Sequence, residues 1–285
     1  MQLQENTVLT SDIALLAPDL DADAADAYWR NEGLDKLAES ESGAAIPPNV
    51  HDLVRLHRLV RQGMACSVLE FGVGYSTVVL ADALEKNELD FLALPERPEL
   101  RTPKPFHLQS VDASETWIAR TRERLPEHLG KRVDLCFSGV SAGTWNGRLC
   151  HFYDLLPDIV PDFVYLDGPD PKDVKGMVRG LSFQAADRTV IAADLLAMEP
   201  TLLPGTVILV DGRVNNARFL QRNFQRPFAC QRLPGTDVTV FRLDEPPLGC
   251  HSHNLVALVE TYRATGRRGG DECSCSMESG SVMVV

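Results

Sequence analysis

At 285 residues, 44% of them apolar, the chain is long enough to bury one sizeable core or two small ones. Its 40 acidic residues against 28 basic ones leave a formal net charge of -12, which repels a phosphate backbone and argues against non-specific binding to nucleic acid or to an anionic membrane. The seven cysteines, an odd number, cannot all pair in a disulfide framework; with no cationic leader and only the short apolar run Ile13 to Ala17 near the start, a cytoplasmic protein with reduced thiols is expected.

Residues 1–48 are acidic and alanine-rich, with helical spacing across Ala22 to Leu37 and a turn-like close in SESGAAIPPN, so they are expected to form a helical extension. The segment HDLVRLHRLVRQG, with His51, Arg55, His57, Arg58 and Arg61, reads as an amphipathic helix covering a sheet rather than as an anion site. Residues 49–245 then alternate β-branched runs with amphipathic stretches. Strands are predicted at Ser67 to Phe71, His107 to Asp112, Arg132 to Phe137, Asp162 to Asp167 and Thr206 to Asp211. Phe228 to Leu233 and Val238 to Leu243, separated by PGTD, read as an antiparallel hairpin. Helices are predicted over Ser76 to Glu85, Ser114 to Leu125, Phe183 to Met198 and Arg213 to Phe224; Ser114 is the expected N-cap of the second, with Trp117, Ile118, Thr121 and Leu125 on one face. Two inserts, Asn87 to Phe106 and Val140 to Pro161, are expected as loops covering a site.

This alternation describes an α/β fold, a doubly wound, mostly parallel seven-stranded sheet with a C-terminal antiparallel hairpin, whose ligand sits where strand order reverses. Residues 246–285 lose the rhythm apart from a short helical run near Asn254 to Arg263, and are expected as an irregular tail. Cys250-His251-Ser252-His253 and Cys273-Ser274-Cys275 supply soft ligands sufficient in number for zinc, but at spacings that fit no common finger, so unligated thiols are the plainer reading.

The segment VLEFGVGYST carries the densest chemical signal. Gly72-Val73-Gly74 falls at the first strand-to-helix turn, where missing side chains let a nucleotide-like ligand approach the backbone; a tight turn before a packed helix is the bland alternative. A dinucleotide fingerprint wants a third glycine where Thr77 stands, and Glu70 immediately upstream would repel a pyrophosphate. A carboxylate there suits an ammonium and a sulfonium, and so favours S-adenosylmethionine over NAD.

VLEFGVGYST resembles the first motif of class I S-adenosylmethionine-dependent methyltransferases, and the likeness runs in order from about Ser67 to Leu243. It implies a Rossmann-like methyltransferase fold and a cofactor site at Glu70, Gly72, Gly74, Tyr75 and Ser76. It further implies that Asp112, closing LQSVD, meets the ribose hydroxyls and that Asp167, in YLDGPDP, lies near the reacting centre. The loose match at Ser138-Gly139 implies an adenine contact. Asp211, after LLPGTVILV, would join Asp112, Glu70 and Asp167 at one rim of the sheet, with neighbouring strands about 4.8 Å apart.

The bland readings are a helix-capping role for Asp112 and turn chemistry for Asp167. Asp167 and Asp211 are the candidates to orient or deprotonate a small-molecule acceptor, with a hydroxyl oxygen the expected target, and Arg213 to grip it or else to pair with one of these acids. The chain also resembles the small-molecule O-methyltransferase branch, in which acids after the fourth and fifth strands hold a divalent cation. Gly212 stands where a further ligand would follow, which counts against a metal unless Asn215 or Asp170 substitutes. Arg218 and Arg222 read as a solvated face, and His151 and Tyr153 as packed residues before acceptor contacts. The competing functions are a methyltransferase-like scaffold without catalysis and an NAD- or nucleotide-sugar-linked enzyme on a similar sheet.

Overall fold

The computed structural model describes residues 20–38, 49–95, 97 and 100–246. Helices α1 (Ala22–Asn31), α2 (Leu34–Ala38) and α3 (Val50–Gln62) precede β1 (Ser67–Phe71), α4 (Tyr75–Leu92), β2 (His107–Asp112), α5 (Glu115–Arg124), α6 (Glu127–Gly130) and β3 (Val133–Phe137). A small hairpin of β4 (Val140–Trp145) and β5 (Arg148–Tyr153) leads to β6 (Phe163–Leu166) and the two-residue β7 (Val174–Lys175). The chain continues through α7 (Asp194–Met198), β8 (Val207–Val210), α8 (Val214–Asn223), β9 (Phe228–Arg232) and β10 (Thr239–Leu243).

The main sheet has seven strands in the order β3-β2-β1-β6-β8-β10-β9. Every pair from β3 to β8 is parallel, while β10 runs antiparallel to both β8 and β9. This is the doubly wound, mostly parallel sheet with an antiparallel hairpin at one edge that the sequence pattern predicts. The order reverses between β1 and β6. At that point the chain leaves neighbouring strands in opposite lateral directions and opens a crevice beyond their carboxyl ends.

Strand β1 is buried along its whole length, and its pleat sends alternate side chains to different cores. Leu69 and Phe71 join a cluster with Ile208, Val210, Ala217, Leu220 and the small-sheet residues Val140 and Tyr153. Val68 faces the other way, onto Leu56, Leu59 and Val60 of α3 and Leu80 and Leu84 of α4. Each such fully buried aliphatic side chain contributes roughly 1.5–3 kcal/mol, so these two layers account for much of the fold's stability. A third cluster seats Ala25 and Trp29 of α1 and Leu34 of α2 on Leu53, Val54 and Val79, with Tyr75 packed alongside.

Three expectations need correction. Val140 to Pro161 is not a plain loop: its first part is the β4–β5 hairpin, part of a second sheet ordered β5-β4-β7, and it turns through Asn146 and Gly147 at φ 51° and 75°. Only Asp194–Met198 of the helix expected over Phe183 to Met198 exists. Residues 191 and 192 run beside β5 instead, through His151 N to Ile191 O at 2.8 Å, and the Asn216 amide satisfies both backbone groups of Ala192. Helix α4 continues to Leu92, so the insert before β2 begins later than its sequence suggested. Ser114 does cap α5, accepting from Trp117 N.

Among the described residues no helix is long and apolar enough to cross a membrane. Cys66, Cys136, Cys150 and Cys230 are free thiols. The Cys250–His253 and Cys273–Cys275 clusters and the run near Asn254 lie outside the described residues.

Candidate functional site

The turn between β1 and α4 holds two glycines for different reasons. Gly72 has φ +96°, and a Cβ there would sit 2.9 Å from the backbone nitrogen of Gly168, in the turn after β6. Conversely, a Cβ on Gly168 would lie 2.6 Å from the nitrogen of Gly72. The two turns meet backbone to backbone, so glycine at both positions is a packing requirement. Gly74 differs. Its backbone is extended (φ 175°), and a Cβ would meet nothing within 4 Å. Among the described residues no contact demands glycine there, and the space above it belongs to the crevice.

Glu70 does not reach that crevice. It is one residue short of the strand end, and strand alternation points it under α4, where it is fully buried. Its carboxylate accepts from Ser76 Oγ (2.6 Å), Thr77 Oγ1 (2.7 Å) and Ser110 Oγ (2.7 Å), and Gly74 N donates to that same Thr77 hydroxyl at 3.0 Å. Glu70 thus anchors the glycine turn from below. Burial pushes its pKa up to about 7 against the pull of the three hydroxyls. The expectation that it faces a ligand beside the other acids is corrected by the pleat.

The other three acids do converge. Asp112 ends β2, Asp167 follows β6 and Asp211 follows β8, and all three line one cleft of about 760 Å³ with Gly72, Gly74, Tyr75 and Ser76. Asp112 Oδ2 accepts from Val73 N at 2.8 Å and Oδ1 from Ser114 N at 2.7 Å, tying the glycine turn to the start of α5. Each oxygen keeps a second lone pair. Burial raises the Asp112 pKa and the two amides oppose it. Asp167 is also raised, by its seat in the cleft and then by Asp211, Asp237 and Asp112, with Arg213 acting in the other direction. Its side chain remains 54% exposed, accessible to whatever enters. Asp211 accepts from the hydroxyl of Tyr165 at 2.7 Å, which holds down a pKa that burial raises.

Arg213, just before α8, donates to the carbonyl oxygen of Asp167, and its Nε lies 3.8 Å from that residue's carboxylate. It therefore bridges the turns after β6 and β8, the structural role weighed against a substrate grip. Asp167, Asp211 and Arg213 also wall a second hollow of about 410 Å³, which adds Thr189, Asn215 and Asp237. The donors suggested for a divalent cation are turned elsewhere: Asp170 accepts from the backbone and ammonium of Lys172, and Asn215 donates to Thr189. Among the described residues no three His, Cys, Asp or Glu side chains gather as a metal site. The residues present do not fit a divalent ion.

Ser138 and Gly139 are not among the residues lining the cleft. The chain turns straight into β4 after them. Ser138 is buried, its hydroxyl bonded to Gly139 O and Leu155 N, and Asp154 fills the space where a Gly139 side chain would start. His151 is fully buried against the ring of Phe183, its pKa pushed down to about 3 by burial and by Arg213, and Tyr153 packs on Phe71. Neither lines the cleft. Residues that sequence reading missed for the site include Trp117, Arg124, Tyr165 and Asp237. Trp117 and Arg124 line the cleft, with the Arg124 guanidinium 3.8 Å over the Tyr75 ring. Tyr165 reads as a strand interior residue and Asp237 as hairpin-turn chemistry; only the tertiary fold brings either to the rim.

No protein-family model and no curated protein matches the chain. Among solved structures it is similar to the O-methyltransferase TomG from Streptomyces achromogenes in complex with SAM, at 17% identity and TM-score 0.38, covering 82% of this chain and 94% of that one. An O-methyltransferase from Bacillus cereus in complex with SAH is 14% identical, with TM-score 0.36 over 82% of this chain and 96% of that one. The SAH-bound methyltransferase PaMTH1 of Podospora anserina is 13% identical, with TM-score 0.41 over 86% and 98%. At such identities and TM-scores, the weight rests on the strand order and the rim geometry of the chain itself.

Proposed function

We propose that the chain is a methyltransferase that takes its methyl group from S-adenosylmethionine and delivers it to a small-molecule acceptor, with a hydroxyl oxygen as the target. The observation that carries this reading is the meeting of Asp112, Asp167 and Asp211 around the Gly72–Gly74 turn in one cleft. S-adenosylmethionine, when bound, supplies an electrophilic methyl on a cationic sulfur, and a rim of carboxylates favours that charge where it would repel the pyrophosphate of a dinucleotide.

Gly72, Gly74, Tyr75 and Ser76 would hold this ligand along the opening of α4, where the bare Gly74 leaves room. Asp112 keeps acceptor capacity on both oxygens for ribose hydroxyls. Glu70 contributes indirectly, by fixing the turn. Asp167 and Asp211 would orient the acceptor. Asp167, with its raised pKa and exposed carboxylate, is the better placed to take the acceptor's proton near neutral pH. Arg213 would hold the Asp167 turn in place. A small acceptor would sit over the second hollow, beside Asp167, Asp211 and Arg213.

Calorimetric titration of the full chain with S-adenosylhomocysteine and with NAD tests the reading. S-adenosylhomocysteine should bind, unaffected by magnesium, and NAD should not. Binding of NAD in its place would overturn the proposal. Binding with no methyl transfer to any acceptor would instead support the scaffold function.

A further inference from the structure

Away from the cleft, a partly buried polar chain joins three helices. The hydroxyl of Tyr28 on α1 lies 2.8 Å from Nδ1 of His57 on α3, and Nε2 of His57 lies 2.9 Å from Oδ2 of Asp82 on α4. The same Asp82 oxygen takes Lys86 Nζ at 2.7 Å, and Lys86 also reaches Glu32, in the turn closing α1, through its side chain at 2.9 Å and its carbonyl at 2.7 Å. His57 is fully buried.

These contacts fix the tautomer. A carboxylate only accepts, so Nε2 carries the imidazole proton and donates to Asp82; Nδ1 is then the acceptor for the Tyr28 hydroxyl. A second proton on His57 would have to go onto Nδ1, so the Tyr28 hydroxyl would lose the acceptor it donates to and would have to rotate to accept instead. That proton would also create a second cation on the carboxylate oxygen already held by Lys86. The charged and titratable groups that act on His57 are Asp82 and Lys86 on α4 and Glu32 from the α1 side, with the Tyr28 hydroxyl on Nδ1; Arg58 and Arg61, on the same helix as His57, act on Tyr28. Burial is the largest influence on the ring and lowers its pKa, with Asp82 opposing and Lys86 assisting.

What this chain holds in place adjoins the site. Ala25 and Trp29 of α1 pack in one cluster with Leu53 and, alongside, Tyr75. Leu53 and Tyr75 are themselves cleft-lining residues. We propose that Tyr28, His57 and Asp82 form a proton-sensitive latch that seats α1 against the wall of the cleft, and that protonation of His57 releases the helix. The latch itself does not depend on the ligand; its effect on cofactor affinity rests on the function proposed above.

The direction follows from linkage. With α1 released, His57 on α3 loses its cover and titrates near its ordinary 6.5, whereas burial under docked α1 holds it lower, so docking is complete above that pH and is lost as the pH falls below it. Hydrogen exchange of the ligand-free full chain, corrected for intrinsic exchange rates, tests this at pH 7.5 and 5.5. Protection over Ala22–Asn31 should drop by up to about tenfold at the lower pH, while β1 keeps its protection. His57→Gln, whose amide donates to Asp82 and accepts from Tyr28 but does not titrate, should make the protection of α1 independent of pH. Should that variant fail to fold, Tyr28→Phe should lower protection of α1 at pH 7.5 and leave β1 alone. Equal wild-type protection at both pH values, a pH dependence that survives in His57→Gln, or full protection in Tyr28→Phe would overturn the latch. S-adenosylhomocysteine affinity across the same pH range reads the second step separately: if exchange responds to pH and no ligand binds at either value, the latch stands and the cofactor assignment fails.

Discussion

Glu70→Gln isolates the anchor beneath the glycine turn. The carboxyl of Glu70 is fully buried, and its pKa rises from an ordinary 4.5 to about 7 on folding. A group raised in the folded state binds more protons there than in the unfolded chain, so its stabilising contribution is present below pH 4.5 and is lost as the pH climbs through about 7. The interval is about two and a half pH units at about 1.4 kcal/mol each, or about 3 kcal/mol. Glutamine imitates the protonated acid and does not ionise. Its fixed effect from rearranging the hydroxyls of Ser76, Thr77 and Ser110 is on the order of 1 kcal/mol and independent of pH. Urea unfolding of both proteins at pH 4.5 and pH 8 cancels that offset. The stability of the variant relative to wild type should rise by about 3 kcal/mol between the two. A difference that stays flat would mean that the three hydroxyls keep Glu70 ionised throughout, and the raised pKa would be refuted.

Asp112→Ala should weaken S-adenosylhomocysteine binding by about tenfold or more in calorimetry, the scale of one charge-assisted hydrogen bond, and should also loosen Val73 and Ser114, whose amides it accepts. Gly74→Ala and Gly168→Ala should separate function from packing: the first has open space for its methyl and should leave Tm near wild type while reducing ligand affinity. The second forces a methyl to 2.6 Å from Gly72 N and should lower stability by roughly 1–3 kcal/mol in thermal melts. Arg226→Ala should destabilise by about 2 kcal/mol in urea titration, because its guanidinium joins the Glu199 and Leu202 carbonyls to the Glu245 carboxylate.

The seven main strands were readable because each is a short apolar run bounded by turn residues, and tertiary contacts did not override that pattern. The second sheet was missed although Asn146-Gly147, a strong two-residue hairpin signal, stands between β4 and β5. The helix expected from Phe183 failed for a tertiary reason: its apolar spacing is helical, but Asn216 and His151 capture residues 191 and 192 in extended form, and no local signal announces such partners. At the rim, acids at strand ends were legible. The direction of Glu70 was also derivable, since period-two alternation puts the penultimate residue of a buried strand onto a face. The part of Asp237, by contrast, depends on a hairpin turn folding back toward Gly212 from 25 residues away.

The facing glycines at positions 72 and 168 close off compensation. A side chain gained on one side of an ordinary contact can be offset by a smaller one opposite, but nothing is smaller than a hydrogen. Drift at either position has no second-site suppressor within the pair, so relief would have to come from displacing a whole loop, and with it the geometry of the mouth between the two central strands.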